Sequence, residues 1–104
     1  MTRPRTAHPD SPEADRNAAK LLESLVRELV DHPDDVSVYL ISADQSTIFE
    51  VSVAPDDVRR VIGRRGRTAN AIRELLQNLG AKAGRRYHLE IVEPENRVTV
   101  ALDY

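Results

Sequence analysis

Two glycines three positions apart, Gly63 and Gly66, enclose Arg64 and Arg65 and stand between two stretches of helical periodicity. Upstream, Val58, Val61 and Ile62 recur at the spacing of one helix face. Downstream, Ala69, Ile72, Leu75, Leu76 and Leu79 do the same. A helix must therefore end, turn and restart around this tetrad. Gly63 suits the stop because glycine tolerates positive φ. Two residues without Cβ also let a ligand approach the backbone. The restarting helix offers unpaired N–H groups, a natural setting for phosphate. Arg67 adds a further cation at the same spot. Such a turn would hold a sugar–phosphate backbone without reading its sequence.

Charge is distributed to match. The net charge of the 104 residues is only −2, which does not mark a nucleic-acid binder. Residues 59–73, however, carry Arg59, Arg60, Arg64, Arg65, Arg67 and Arg73 and no acid. The stretch before them is acidic, from Glu23 through Asp34, Asp35 and Glu50 to Asp56 and Asp57. A basic patch on an acidic body steers a polyanion to one place. Taken alone, a run of this kind is more often a solvated helix face, and a G-x-x-G more often an ordinary helix corner.

The rest of the chain supplies the frame. Apolar residues at 18, 21, 22, 25, 26, 29 and 30 predict a helix from Ala18 to Asp31, with Asn17 as N-cap and Pro33 beyond its end. Strands are expected over Val36–Leu40 and Ile48–Val53, joined by the short polar connector Ala43–Ser46 as a hairpin. Pro55 opens the second helix, with Asp56 and Asp57 in its first turn. The third helix spans Arg67–Leu79, and Gly80 is expected just past its end. Tyr87, Leu89 and Ile91 alternate as a third strand. Arg97–Leu102 alternates again, after Pro94-Glu95-Asn96, as a possible fourth. The expected class is a two-layer α/β (α+β) domain of order α-β-β-α-α-β, three helices on one face of a small sheet. Its expected extent is residues 18–93, between a disordered tail (1–17) and an extension (94–104).

The loop together with its context resembles the type II KH family, and within it the KhpA group of small bacterial RNA-binding proteins. The residues that carry the resemblance are Leu29-Val30-Asp31-His32-Pro33, Asp35-Val36-Ser37-Val38, Val53-Ala54-Pro55-Asp56-Asp57-Val58, Val61-Ile62-Gly63 and Ala71-Ile72-Arg73. The resemblance implies the type II KH fold and a clamp on about four single-stranded nucleotides. It implies RNA contacts from Gly63, Arg64, Arg65, Gly66 and Arg67, flanked by Arg59, Arg60 and Arg73. It also implies an apolar groove for the bases, walled by Val58, Ile62, Ile72 and a strand edge. It further implies a cytoplasmic RNA chaperone or post-transcriptional regulator, linked to cell shape and cell-wall biogenesis. That regulator would act as a homodimer or with a larger KH/R3H partner, KhpB. One departure is Thr68, where KH domains often carry isoleucine; it would loosen the groove wall or cap the third helix.

Two other readings remain open. The chain could be a protein-interaction adaptor whose glycine loop is only a turn. It could bind duplex DNA through its third helix, but Arg67, Arg73, Asn70 and Gln77 make a thin set for base readout. No catalytic residues, cofactor or membrane association are expected. There is no cysteine, so disulfides and thiol chemistry are excluded. The three histidines lack metal-ligand spacing, and no metal site is expected. No aromatic residue lies near the loop in sequence, so stacking on aromatics is not the expected mode of base binding.

Overall fold

The computed structural model describes residues 12–92. They form α1 (Glu13–Leu29), β1 (Ser37–Ser42), β2 (Ser46–Ser52), α2 (Val58–Ile62), α3 (Arg67–Ala83) and β3 (Arg86–Val92). Single 3-10 turns occupy Pro33–Asp35, Pro55–Asp57 and Arg64–Gly66. The order is the predicted α-β-β-α-α-β. The sheet order is β1-β2-β3, with β1 antiparallel to β2 and β2 parallel to β3. A parallel neighbour needs a long crossover, and α2 with α3 supplies it. The glycine loop therefore sits in the middle of that crossover.

Strand alternation builds the core. Val38, Val51 and Ile91 share one rung, and Leu40, Phe49 and Leu89 the next. All six are buried and join Ala18, Leu22 and Val26 of α1 and Ala69, Ile72 and Leu76 of α3 in one cluster. Each such large side chain, fully removed from water, contributes about 1.5–3 kcal/mol. The third rung, Ser42–Thr47–Tyr87, is polar and also faces the helices. Phe49 meets the Tyr87 ring edge-on at 4.7 Å, bridging the apolar and polar rungs.

Several helix ends differ from expectation: α1 stops at Leu29 instead of Asp31, and Pro55–Asp57 forms a 3-10 turn ahead of α2. Helix α1 begins at Glu13, preceded by Pro12, so residues 13–17 are helical rather than tail and Asn17 is not the cap. The reason is tertiary: Asp15 is buried on the polar rung, which draws one more turn onto the sheet. Helix α3 runs through Gly80 to Ala83 and stops at Gly84, whose φ is 73°. Gly80 is needed for contact instead. A Cβ there would stand 2.6 Å from the Arg85 carbonyl oxygen and 3.1 Å from the Tyr87 ring. The strands match the expected ones with shifts of one or two residues at their ends. The predicted fourth strand over 97–102 lies outside the described residues.

Candidate nucleic-acid interface

Helix α2 stops at Gly63, whose N–H donates to the Arg59 carbonyl at 2.8 Å. The loop then takes an unusual path. Gly63, Arg65 and Gly66 all have positive φ, at 79°, 57° and 74°. Arg65 is the only non-glycine among the described residues to do so. The tight turn closes with Gly66 N–H donating to the Gly63 carbonyl at 3.0 Å. Helix α3 starts directly on Gly66 with no side-chain cap. The Arg67 N–H turns back to the Arg64 carbonyl, and with no side-chain cap the N–H groups that follow it keep their hydrogen-bonding capacity for an outside acceptor.

The side chains around the loop divide into two groups. Arg64, Arg65 and Arg67 are exposed, and no carboxylate among the described residues pairs with them. Arg59 is likewise exposed on α2. Arg60 points elsewhere: its Nη2 lies 2.9 Å from Asp31 Oδ2, and its Nε 3.8 Å from Asp57 Oδ1. Arg73 donates to Asn70 Oδ1 at 2.6 Å, one turn along α3. The predicted cationic group is thus a compact set at the loop, with Arg60 held in an ion pair with the end of α1.

The predicted groove walls are mostly core. Val58 and Ile72 are buried in the central cluster, while Ile62 is partly buried and packs against it. Ile62 therefore presents the most apolar surface beside the loop. Phe49 and Tyr87 are buried in the core and Tyr39 is half-buried on β1, so none of them stacks at the loop. Among the described residues, no group of three or more His, Asp or Glu side chains is placed to hold a metal ion. No described helix is long and apolar enough to cross a membrane.

Comparison with known proteins settles the family. Residues 19–91 match the KH domain described as KhpA/KhpB. The chain belongs to the KhpA/KhpB KH-domain family. One relative is the RNA-binding protein KhpA of Borreliella burgdorferi, 47% identical over 77 residues, which span 74% of this chain and 94% of that protein. The RNA-binding protein KhpA of Mycobacterium tuberculosis is 46% identical over 74 residues, 71% of this chain and 89% of that one. A similar fold is seen in the crystal structure of Era in complex with MgGDPNP and nucleotides 1506–1542 of 16S ribosomal RNA. There the TM-score is 0.58 at 20% identity, covering 81% of this chain and 32% of that one.

Within this KhpA/KhpB domain, Thr68 finds its explanation in Gly63. A Cβ on Gly63 would come within 2.7 Å of the Thr68 Cβ and 2.8 Å of its backbone nitrogen. Thr68 thus buttresses the loop instead of capping α3. Gly66 differs, since nothing but Asn70 Nδ2 at 3.9 Å stands near the place of its Cβ. The space a Gly66 Cβ would take is otherwise open, and only its left-handed backbone demands glycine.

Two buried carboxylates that hold the frame together were not visible as such in the sequence. Asp57, read as a first-turn acid, accepts from Asp31 N–H at 3.0 Å and His32 N–H at 2.9 Å. It thereby ties the end of α1 to the start of α2. Asp15 anchors the far end of the domain. It accepts from Thr47 Oγ1 at 2.5 Å, Tyr87 OH at 2.7 Å and Ser42 Oγ at 3.1 Å. Arg85 Nε lies 3.3 Å from its Oδ1. The Arg85 guanidinium continues to the hairpin, donating to the carbonyls of Ala43, Asp44 and Ser46 and to Thr47 Oγ1. Burial, and then the hydrogen bond to Asp15, push the Tyr87 hydroxyl far above its ordinary value. The partners of Asp15 lie 27 to 72 residues away, so no local signal announced them.

Proposed function

We propose that this chain binds single-stranded RNA by the loop Gly63-Arg64-Arg65-Gly66, with Arg67 and Arg59 beside it, as a cytoplasmic RNA chaperone or post-transcriptional regulator. The observation that supports this reading is the pairing of unneutralised arginines with a left-handed turn at an uncapped helix start. Phosphate oxygens fit both parts, the guanidinium groups through charge-assisted bonds and the helix start through its N–H groups. The relatives named RNA-binding protein KhpA carry the same domain. Ile62 would meet the bases, and Arg60 and the buried Val58 and Ile72 would shape the groove from behind. The test is the double substitution Arg64→Asp, Arg65→Asp. RNA affinity should fall roughly tenfold or more with the melting temperature unchanged. Unchanged affinity in the folded variant would favour the adaptor reading. Tighter binding to a duplex than to a single strand would favour the DNA reading.

The partner we propose is a second copy of this chain. Leu21 and Leu75, 50% and 42% exposed, flank the seam where α1 and α3 run antiparallel. Leu25, Leu79 and Ala18 line its floor. Lys82 borders the seam near Ala14 and Asn17, and Glu28 lies one turn past Leu25 at the other end. A two-fold apposition then sets each Glu28 toward the other copy's Lys82, as an isologous contact requires. Leu75→Asp should halve the mass seen by light scattering. A full-length chain that is monomeric until a KhpB-like protein is added would replace the second copy with that partner.

A further inference from the structure

Helix α3 carries a stripe that leads away from the loop. From Gly66 at its start, Asn70, Arg73, Gln77 and Ala81 follow at intervals of three or four residues, in one line along the helix. No acid stands in that line, and Glu74, the one acid of α3, projects from the next flank. Leu75 and Leu79, which border α1, occupy the opposite flank. The line ends beside β3, the outermost strand of the described sheet, which follows α3 through the reversal at Gly84 and Arg85. There Gln77 and Ala81 share a cavity of about 280 Å³ with Arg85, Arg86, Tyr87 and His88.

Part of the charge on these walls is not used by the fold. Arg85 is spent on the hairpin carbonyls and on Asp15. Arg86 is exposed, and no carboxylate among the described residues pairs with it. His88 is exposed beside it, and no described acid lines the cavity. A guanidinium suits phosphate, and an exposed imidazole suits the flat face of an unstacked base. Gln77 adds a donor and an acceptor for a base edge.

We propose that the RNA strand held at the glycine loop continues along this stripe to a second subsite, where Arg86 takes a phosphate and His88 stacks on a base. This subsite rests on the RNA-binding reading above and lengthens its footprint. Gly66 and Gln77 are 11 positions apart (77 − 66), or about 16 Å at the α-helical rise. At a stacked spacing of roughly 3.4 Å, about five nucleotides cross that distance, and fewer do when extended. With about four nucleotides at the loop itself, the full site takes about eight or nine. Asn70 and Arg73 lie on the way, joined to each other by a hydrogen bond. His88 is 22 positions beyond Gly66 (88 − 66), and the return of β3 brings it to the line that starts there.

Random-sequence RNAs of four and of ten nucleotides, titrated onto the full chain, test this. Arg86→Ala and His88→Ala, both at exposed positions, should keep the melting temperature and the affinity for the shorter RNA. His88→Ala should weaken binding of the longer RNA about fivefold or more. Arg86→Ala should reduce the magnitude of its log–log salt slope by about 0.7. The His88 ring resonances should shift with the longer RNA and not with the shorter. Unchanged affinity and slope for the longer RNA in both variants overturn the subsite. Equal losses for both lengths also overturn it, because Arg86 and His88 would then act only through the general field. Arg64→Asp with Arg65→Asp separates the two readings. If that variant loses both lengths while the Arg86 and His88 variants lose neither, the loop stands and the second subsite falls. If it loses neither length, the second subsite falls with the loop.

Discussion

Arginine does opposite work at the two ends of this domain. At the hairpin end, Arg85 spends its donors on three backbone carbonyls and a threonine hydroxyl and sits against the buried Asp15. At the loop end, Arg64, Arg65 and Arg67 stand exposed on a turn with no carboxylate partner among the described residues. The contrast lies in the neighbours, not the residue type. A guanidinium surrounded by acceptors of its own chain holds a fold together. One that the chain leaves unpaired keeps its charge for something else. Nearby Arg60 shows that proximity to the loop is not enough, since Asp31 engages it.

The comparison breaks most sharply at Asp15. Asp15→Ala leaves Arg85 without its counter-ion and Tyr87 and Thr47 without their acceptor, and should cost about 3–5 kcal/mol. Thermal unfolding should show it, while RNA affinity of the molecules that remain folded stays within about twofold. A large loss of affinity at constant fold would mean that the two ends are not independent. Gly63→Ala comes next. It forces a side chain into a left-handed position already filled by Thr68, and about 2–4 kcal/mol should be lost. Gly66→Ala meets no such neighbour and should cost less than half as much. Equal losses would show that backbone conformation alone sets both positions.

A smaller effect comes from Tyr87. Its hydroxyl is held protonated by burial and by Asp15, so its folded value lies above the unfolded value of about 10. The stability this represents is complete below pH 10. It is lost as pH rises from there toward the folded value, by about 1.4 kcal/mol per pH unit. Chemical denaturation at pH 9 and pH 11 should show the decline, and Tyr87→Phe should remove that share of it. The finest test sharpens the loop end. Two or three neutralised phosphates give a log–log salt slope of about −1.4 to −2.1 for single-stranded RNA. A slope near zero would assign the loop arginines no phosphate at all.

Much of this was legible from residue pattern. The loop, the element order and the inner faces followed from periodicity and from glycine and proline placement, because those signals are local. Ile72 and Leu76 on α3 and Val51 and Phe49 on β2 fell where spacing put them. What escaped were features whose cause is distant in sequence. Residues 13–17 read as polar tail because nothing nearby reveals that Asp15 meets Tyr87. Gly80 read as a helix stop because its true reason is the backbone of Arg85 passing beside it. The ion pair of Arg60 with Asp31 was equally hidden, because the two lie 29 residues apart in sequence.

The remoteness of Tyr87 and Arg85 from Asp15 also bears on how the chain is made. A ribosome releases α1, β1 and β2 first, and at that stage Asp15 has Thr47 and Ser42 but no cation and no phenol. The sheet likewise lacks β3, the strand that pairs with β2 along its whole length. The glycine loop emerges before either is supplied. Vectorial synthesis therefore delivers the loop on an unfinished scaffold, and the domain locks only when β3 has left the exit tunnel. Nascent chains arrested on the ribosome should turn protease-resistant at that length and not one helix sooner.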